Sequence, residues 1–206
     1  RYAVVNSLTN SVYTLIFHQA HFTDIDGHWA EDVISDMGNR LIVRGKGSGR
    51  FAPDMEVTRA EFAAMLVRAL GLKPVEDAEF PFSDAAEAGS LASALATAHH
   101  YGLMHGYEDG TSRPNQSITR EQAFTMVVRA IRLIDPGFTH PSPMEPLPFI
   151  DADDMSSWAV SSVTAAYETG MIHGNSRNEL NPQAKITRAE TAAIIHRLLR
   201  TFNLIN

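Results

Sequence analysis

Cysteine is absent from all 206 residues. That excludes a disulfide framework and any thiolate metal site. Long apolar runs are missing too, since no stretch approaches the roughly 20 residues a helix needs to cross a bilayer. Positive charge is scarce beside negative: 17 Lys and Arg stand against 24 Asp and Glu, giving a net charge of -7 and a pI near 5.7. Such a balance does not attract a nucleic-acid backbone or an anionic membrane, so neither is expected as a partner. The chain opens on Arg1 and carries no signal-peptide pattern, as expected of a piece of a longer protein with any export signal upstream. What is present fits a soluble globular protein, with 44% hydrophobic and 20% charged residues.

The informative feature is a threefold internal repeat. Thr58-Arg59-Ala60-Glu61 returns as Thr119-Arg120-Glu121-Gln122 and as Thr187-Arg188-Ala189-Glu190, each with a proline five residues earlier (Pro53, Pro114, Pro182). Threonine is a good helix N-cap, and Glu or Gln three positions later completes a capping box. The arginine is not explained that way, because it falls on the first helical position, where the helix dipole disfavours a cation. Two readings remain. The arginine adds a guanidinium fork to a helix N-terminus whose free N–H groups already favour an anion. Alternatively, it pairs with a nearby Asp or Glu and ties the repeats together.

Counting back from each threonine sets the register. Trp29 and Trp158 share a column with Ser90, and Gly45, Gly106 and Gly174 form another. Residues 2–17 have the pattern of a β-hairpin, and 1–20 read as that hairpin or the tail of an upstream domain. Repeat one (21–73) predicts a first helix with Trp29, Val33, Met37 and Leu41 on one face, stopped near Gly45, then a second helix from Thr58 to Gly71. Repeat two (74–134) predicts helices over Leu91–Met104 and from Thr119 to about Ile134. Residues 135–148 hold five prolines in fourteen positions and predict an extended linker. Repeat three (149–206) predicts helices over about Ser157–Ile172 and Ala189–Phe202. Its loop has Asn178 where the other copies have Gly49 and Gly110, a mild change because Asn tolerates the left-handed conformation.

Phe-x-Asp at Phe22, Phe82 and Phe149, His-Trp-Ala at His28, the Gly-bounded loop, and Pro followed by Thr-Arg-Ala-Glu together resemble the S-layer homology (SLH) domain in tandem triplet, over about residues 22–203. The resemblance implies a mainly α fold of three helix-loop-helix repeats in a pseudo-threefold, three-pronged spindle. It further implies a non-catalytic module that holds a surface protein of a Gram-positive cell to its wall. The implied partner is a secondary cell-wall polysaccharide bearing a pyruvate ketal on N-acetylmannosamine, bound in grooves between repeats without cofactor or metal. Carried onto this chain, the ligand residues would be Arg59, Arg120 and Arg188 for the carboxylate and Asp24, Asp84 and Asp151 for sugar hydroxyls. Trp29 and Trp158 would meet a sugar face, and Gly45, Gly106 and Gly174 would allow close backbone approach. The copies also depart from the family pattern, with Ser90 in place of Trp, Gln122 in place of Glu, and Leu41 in place of Gly. The groove that uses Ser90 is expected to be the weak one.

Plainer roles compete for several of these residues. The three aspartates would cap the turn before the first helix, and the two tryptophans would anchor the core. His99 and His100 are adjacent and point apart on a helix, which argues against a metal pair. The acidic loops at Asp24 and Asp151 lack the twelve-residue spacing of a calcium loop. Two rival functions are a glycosidase with paired carboxylates and a module that only packs subunits.

Overall fold

Thr58, Thr119 and Thr187 each start a helix as their spacing predicts. In this computed structural model, which describes residues 18–75, 81–139 and 147–206, all three capping boxes are complete. The Glu61 N–H donates to the Thr58 hydroxyl at 3.2 Å, and Glu61 accepts from the Thr58 N–H at 3.1 Å. The expected hairpin at 2–17 and positions 140–146 of the Pro-rich linker lie outside the described residues.

The described chain is mainly helical, with six α-helices: α1 (Glu31–Asn39), α2 (Arg59–Ala69), α3 (Ala92–His100), α4 (Arg120–Ile134), α5 (Val160–Glu168) and α6 (Arg188–Thr201). The second helices match the sequence reading closely. The first helices are shorter than expected, and the repeat-one stripe needs correction. Trp29 lies ahead of α1 and is 67% exposed, and Leu41 lies beyond its end and is 38% exposed. The buried side is Ala30, Ile34 and Met37, because the helix begins only at Glu31. The stop is also displaced from Gly45. Leu41, Gly102 and Gly170 take the left-handed conformation, at φ 60°, 70° and 70°. Asn178 adopts φ 61° beside 69° and 77° at Gly49 and Gly110, as its residue type allows.

Leucine at φ 60° is strained, and its two counterparts are glycine. Leu41→Gly is expected to stabilise the chain by about 1 kcal/mol, read as a raised urea midpoint with an unchanged m value. A lowered midpoint would mean that the half-exposed leucine contributes more by packing than it loses in strain.

Each first helix packs mainly on the second helix of the preceding repeat, in cyclic order: α3 on α2, α5 on α4, and α1 on α6. Around the centre α6 touches both α2 and α4. One continuous core results, running from Phe22 to Leu199 through all three repeats. On the pseudo-threefold axis three β-branched residues close a triangle. The Val57 N–H donates to the Ile186 carbonyl at 3.0 Å, Ile118 to Val57 at 2.9 Å, and Ile186 to Ile118 at 3.2 Å.

Candidate functional site

The N–H groups that open α2, α4 and α6 do not face solvent, which corrects the picture of three free helix N-termini. Each is satisfied by the loop of the next repeat. Arg59 and Ala60 donate to the carbonyls of Gln116 and Pro114; Arg120 and Glu121 donate to Ala184 and Pro182; Arg188 and Ala189 donate to Met55 and Pro53. The proline of each copy therefore supplies a carbonyl to its neighbour's helix start, one way of meeting the donors that every helix leaves over.

The arginines follow the same route. Arg59 Nε donates to the Ser112 carbonyl at 2.8 Å and Nη2 to the His105 carbonyl at 3.1 Å. Arg188 Nε donates to the Phe51 carbonyl at 2.7 Å and Nη2 to the Arg44 carbonyl at 2.6 Å. Arg120 Nε reaches the Leu180 carbonyl at 2.8 Å, while Nη1 pairs with Glu190 at 2.7 Å. Arg59 and Arg188 are only 6% and 2% exposed, and burial pulls both guanidinium pKa values below the ordinary range. The position that the helix dipole disfavours is thus occupied for its reach into the neighbouring repeat. The tie between repeats runs chiefly through backbone carbonyls, and only Arg120 uses a carboxylate.

The aspartates secure the same peptides from the other side. Asp24 accepts from the N–H groups of Phe51 and Ala52 at 2.7 and 2.8 Å. Asp84 accepts from those of Ser112 and Arg113 at 2.8 and 2.7 Å, and Asp151 from those of Leu180 and Asn181 at 2.8 and 2.7 Å. Partial burial pushes the Asp24 and Asp84 carboxyls up, but these amides outweigh it and hold both below their ordinary value. A cyclic relay results: the aspartate of one repeat grips a loop peptide whose carbonyl is gripped by an arginine of the repeat before it. The aspartates pin a loop rather than cap a helix start.

Gly45, Gly106 and Gly174 also have a packing cause. A Cβ on Gly106 would lie 2.0 Å from the Phe82 ring, and one on Gly174 would lie 2.6 Å from Phe149. On Gly45 it would meet the Arg50 carbonyl oxygen at 2.8 Å and the Phe22 ring at 3.3 Å. At Gly106 and Gly174 the closest approach is to the phenylalanine of Phe-x-Asp, and at Gly45 it is to the Arg50 carbonyl with Phe22 next.

Beside each arginine the described residues form a concave groove, and each of these grooves is walled by all three repeats. The Arg59 groove, about 520 Å³, runs along Tyr107 and Gln122 and ends on Trp158. The Arg120 groove, about 140 Å³, runs along His173 and Glu190 and ends on Trp29. The Arg188 groove, about 380 Å³, runs along Lys46 and Glu61 and ends on Ser90. The tryptophans are therefore not core anchors; they are 67% and 54% exposed and stand at groove mouths.

A second arginine lines each groove: Arg129, Arg197 and Arg68 respectively. Sequence reasoning passed over this row, although it falls ten residues after each capping threonine and a column count reveals it. These arginines donate to the carbonyls of Leu103, Met171 and Ile42, which close the first helix of their own repeat. Burial, helped by Arg44 and Arg188, lowers Arg68 to about 10.

The glutamate column separates the grooves. Glu61 pairs with Lys46 at 2.6 Å and Glu190 with Arg120 at 2.7 Å. In the third groove the amide Gln122 donates to the Tyr107 hydroxyl at 3.2 Å instead. Arg59 and Arg113 both lie over the Tyr107 ring, at 4.7 and 3.9 Å, a cation–π arrangement.

The S-layer homology domain family model matches three times, at residues 21–63, 81–124 and 148–192. The chain is similar to an amylopullulanase of Thermoanaerobacterium thermosulfurigenes, 35% identical over 94% of this chain and 10% of that protein. It is similar to exoglucanase XynX of Acetivibrio thermocellus, 37% identical over 88% of this chain and 16% of that protein. A cellulosome-anchoring protein of Acetivibrio thermocellus is 28% identical over 76% of this chain and 35% of its own length. The chain thus spans a small part of each of these relatives.

Proposed function

Because this chain belongs to the S-layer homology domain family, we propose that it is a non-catalytic anchor that binds secondary cell-wall polysaccharide in the grooves between its repeats. It works at the cell surface, against the wall, as one part of a larger surface protein. The ligand unit is a sugar carrying a carboxylate, a pyruvate ketal on N-acetylmannosamine. The observation that carries this reading is the pairing in two grooves of an exposed indole with a row of arginines. Trp158 faces Arg59 and Arg129, and Trp29 faces Arg120 and Arg197. An indole stacks on the apolar face of a sugar, and guanidinium N–H groups not engaged by the backbone carbonyls or by Glu190 can donate to a carboxylate.

A glycosidase needs two carboxylates placed for acid–base work. Here the repeated glutamate is paired with a cation in two grooves and replaced by Gln122 in the third. The same motif in three copies suits avidity, since linked weak sites bind a polymer far more tightly than one.

The chain is expected to sediment with purified wall and to be lost when pyruvate is removed by mild acid. Trp158→Ala is expected to weaken binding of a pyruvylated disaccharide roughly tenfold without moving the melting curve, since the indole is exposed. Equal binding to depyruvylated wall, or an unchanged Trp158→Ala, would overturn the carboxylate-and-stacking reading.

A further inference from the structure

The groove that ends on Ser90 was expected to be the weak one, yet among the described residues it carries the most positive charge. Arg44, Lys46, Arg68 and Arg188 face it against one carboxylate, Glu61, a surplus of three positive charges. Glu61 is engaged by Lys46 at 2.6 Å. The nearby Asp24 is engaged by the amides of Phe51 and Ala52. Asp24 also pairs with Arg50 at 3.4 Å. Glu61 and Asp24 act on Arg188 through space, but none of the three arginines forms a direct ion pair among the described residues. In a chain of net charge -7 such a cluster is a local exception.

We propose that the Arg188 groove is a phosphate site, taking a phosphomonoester carried on the wall polymer, while the two tryptophan-walled grooves take the stacked, carboxylate-bearing sugar. A monocarboxylate answers one cation, whereas a phosphate dianion answers two and offers three oxygens to donors converging from different directions. Arg188 and Arg68 line the groove and are fixed by their carbonyl partners at Phe51, Arg44 and Ile42, so their charge is preorganised there. Mutual repulsion supports the assignment: Arg44 and Arg188 both help to pull Arg68 down to about 10, after burial, and a bound dianion would relieve this. With Ser90 in place of indole, the groove mouth has no flat wall for a sugar and leaves space for a phosphate. The assignment rests on the wall-polymer reading for the source of the phosphate, but not for the site.

The test is calorimetry and amide NMR of the whole chain with inorganic phosphate, glycerol 3-phosphate and acetate, at matched ionic strength in a non-phosphate buffer. Phosphate and its ester should saturate one site, shift the Gly45 amide, and bind at least tenfold more tightly than acetate. Arg44→Gln should weaken both roughly tenfold. Arg44 is exposed and its side chain donates no hydrogen bond among the described residues, so this variant should keep the wild-type melting curve. Arg177→Gln, exposed and outside the three grooves, should leave phosphate binding unchanged. The proposal fails if acetate binds as well as phosphate, if Arg44→Gln has no effect, or if Arg177→Gln abolishes phosphate binding. Binding of inorganic phosphate without its ester would overturn the polymer as source. None of these outcomes depends on the pyruvylated sugar, so the two readings fail separately.

Discussion

A chain ending at Asp135, which keeps the first two repeats whole, is expected to lose cooperative unfolding altogether. Repeat three supplies more than the third prong. Its helix α6 is the packing partner of α1, at the opposite end of the sequence. The cut also removes the carbonyl that receives the Val57 N–H and those that receive Arg120 and Glu121 at the start of α4. It takes away the Arg188 side chain that holds the Phe51 and Arg44 carbonyls of repeat one. What remains has an uncovered α1, an opened axial triangle and a core split across the cut. Small domains have little margin for such a loss. Circular dichroism should show reduced helix and a broad thermal response. A sharp, monomeric, two-state transition in the shortened chain would show that the ring is not the unit of folding.

Arg188→Ala is expected to cost about 3–5 kcal/mol, because two carbonyls lose a charged donor and one of the most buried arginines leaves a void behind. Arg120→Ala should cost less, about 2 kcal/mol, since Glu190, which it leaves unpaired, is 34% exposed and regains water. Arg188→Lys should recover only part of the loss, because an ammonium cannot span the Phe51 and Arg44 carbonyls from one planar group. Urea unfolding of the three variants is the measurement, and equal, small effects would refute the burial argument. This ordering bears on function. Loss of wall binding in Arg188→Ala would mix a folding effect with a binding one, so Trp158 and Arg44 are the better probes of what the grooves hold.

The helix starts were legible because a capping box is a local device: threonine and its partner lie three residues apart and need no tertiary help. The starts of α2, α4 and α6 followed from it. The glycine and Phe-x-Asp columns were legible as columns, but their cause was not, since a ring pressed against a glycine 23 to 25 residues later is a tertiary contact. The tryptophans misled for a related reason. Trp29 sits four residues from Val33 and eight from Met37, which satisfies a helical stripe on paper, yet the helix begins after it. The cyclic exchange of partners, α1 with α6 above all, leaves no periodic mark in the sequence. Each first helix has an apolar face, and nothing in its residues says whose second helix will cover it. The row Arg68, Arg129 and Arg197 was visible in register and was hidden by its place within apolar helices, where an arginine reads as an exposed residue.

The sharing of each groove among three repeats has a thermodynamic consequence. A glycan seated there binds only the closed ring and has nothing to hold on the unfolded chain, so occupancy adds to folding stability by mass action. With free ligand at a hundredfold excess over its dissociation constant the gain is about 2.7 kcal/mol per site, comparable with the loss expected from removing a central arginine. On the proposed function, densely presented wall polymer would keep that excess high. Molecules away from the wall would then be the less stable population and would open to proteases first. Turnover would be directed in this way to the detached copies.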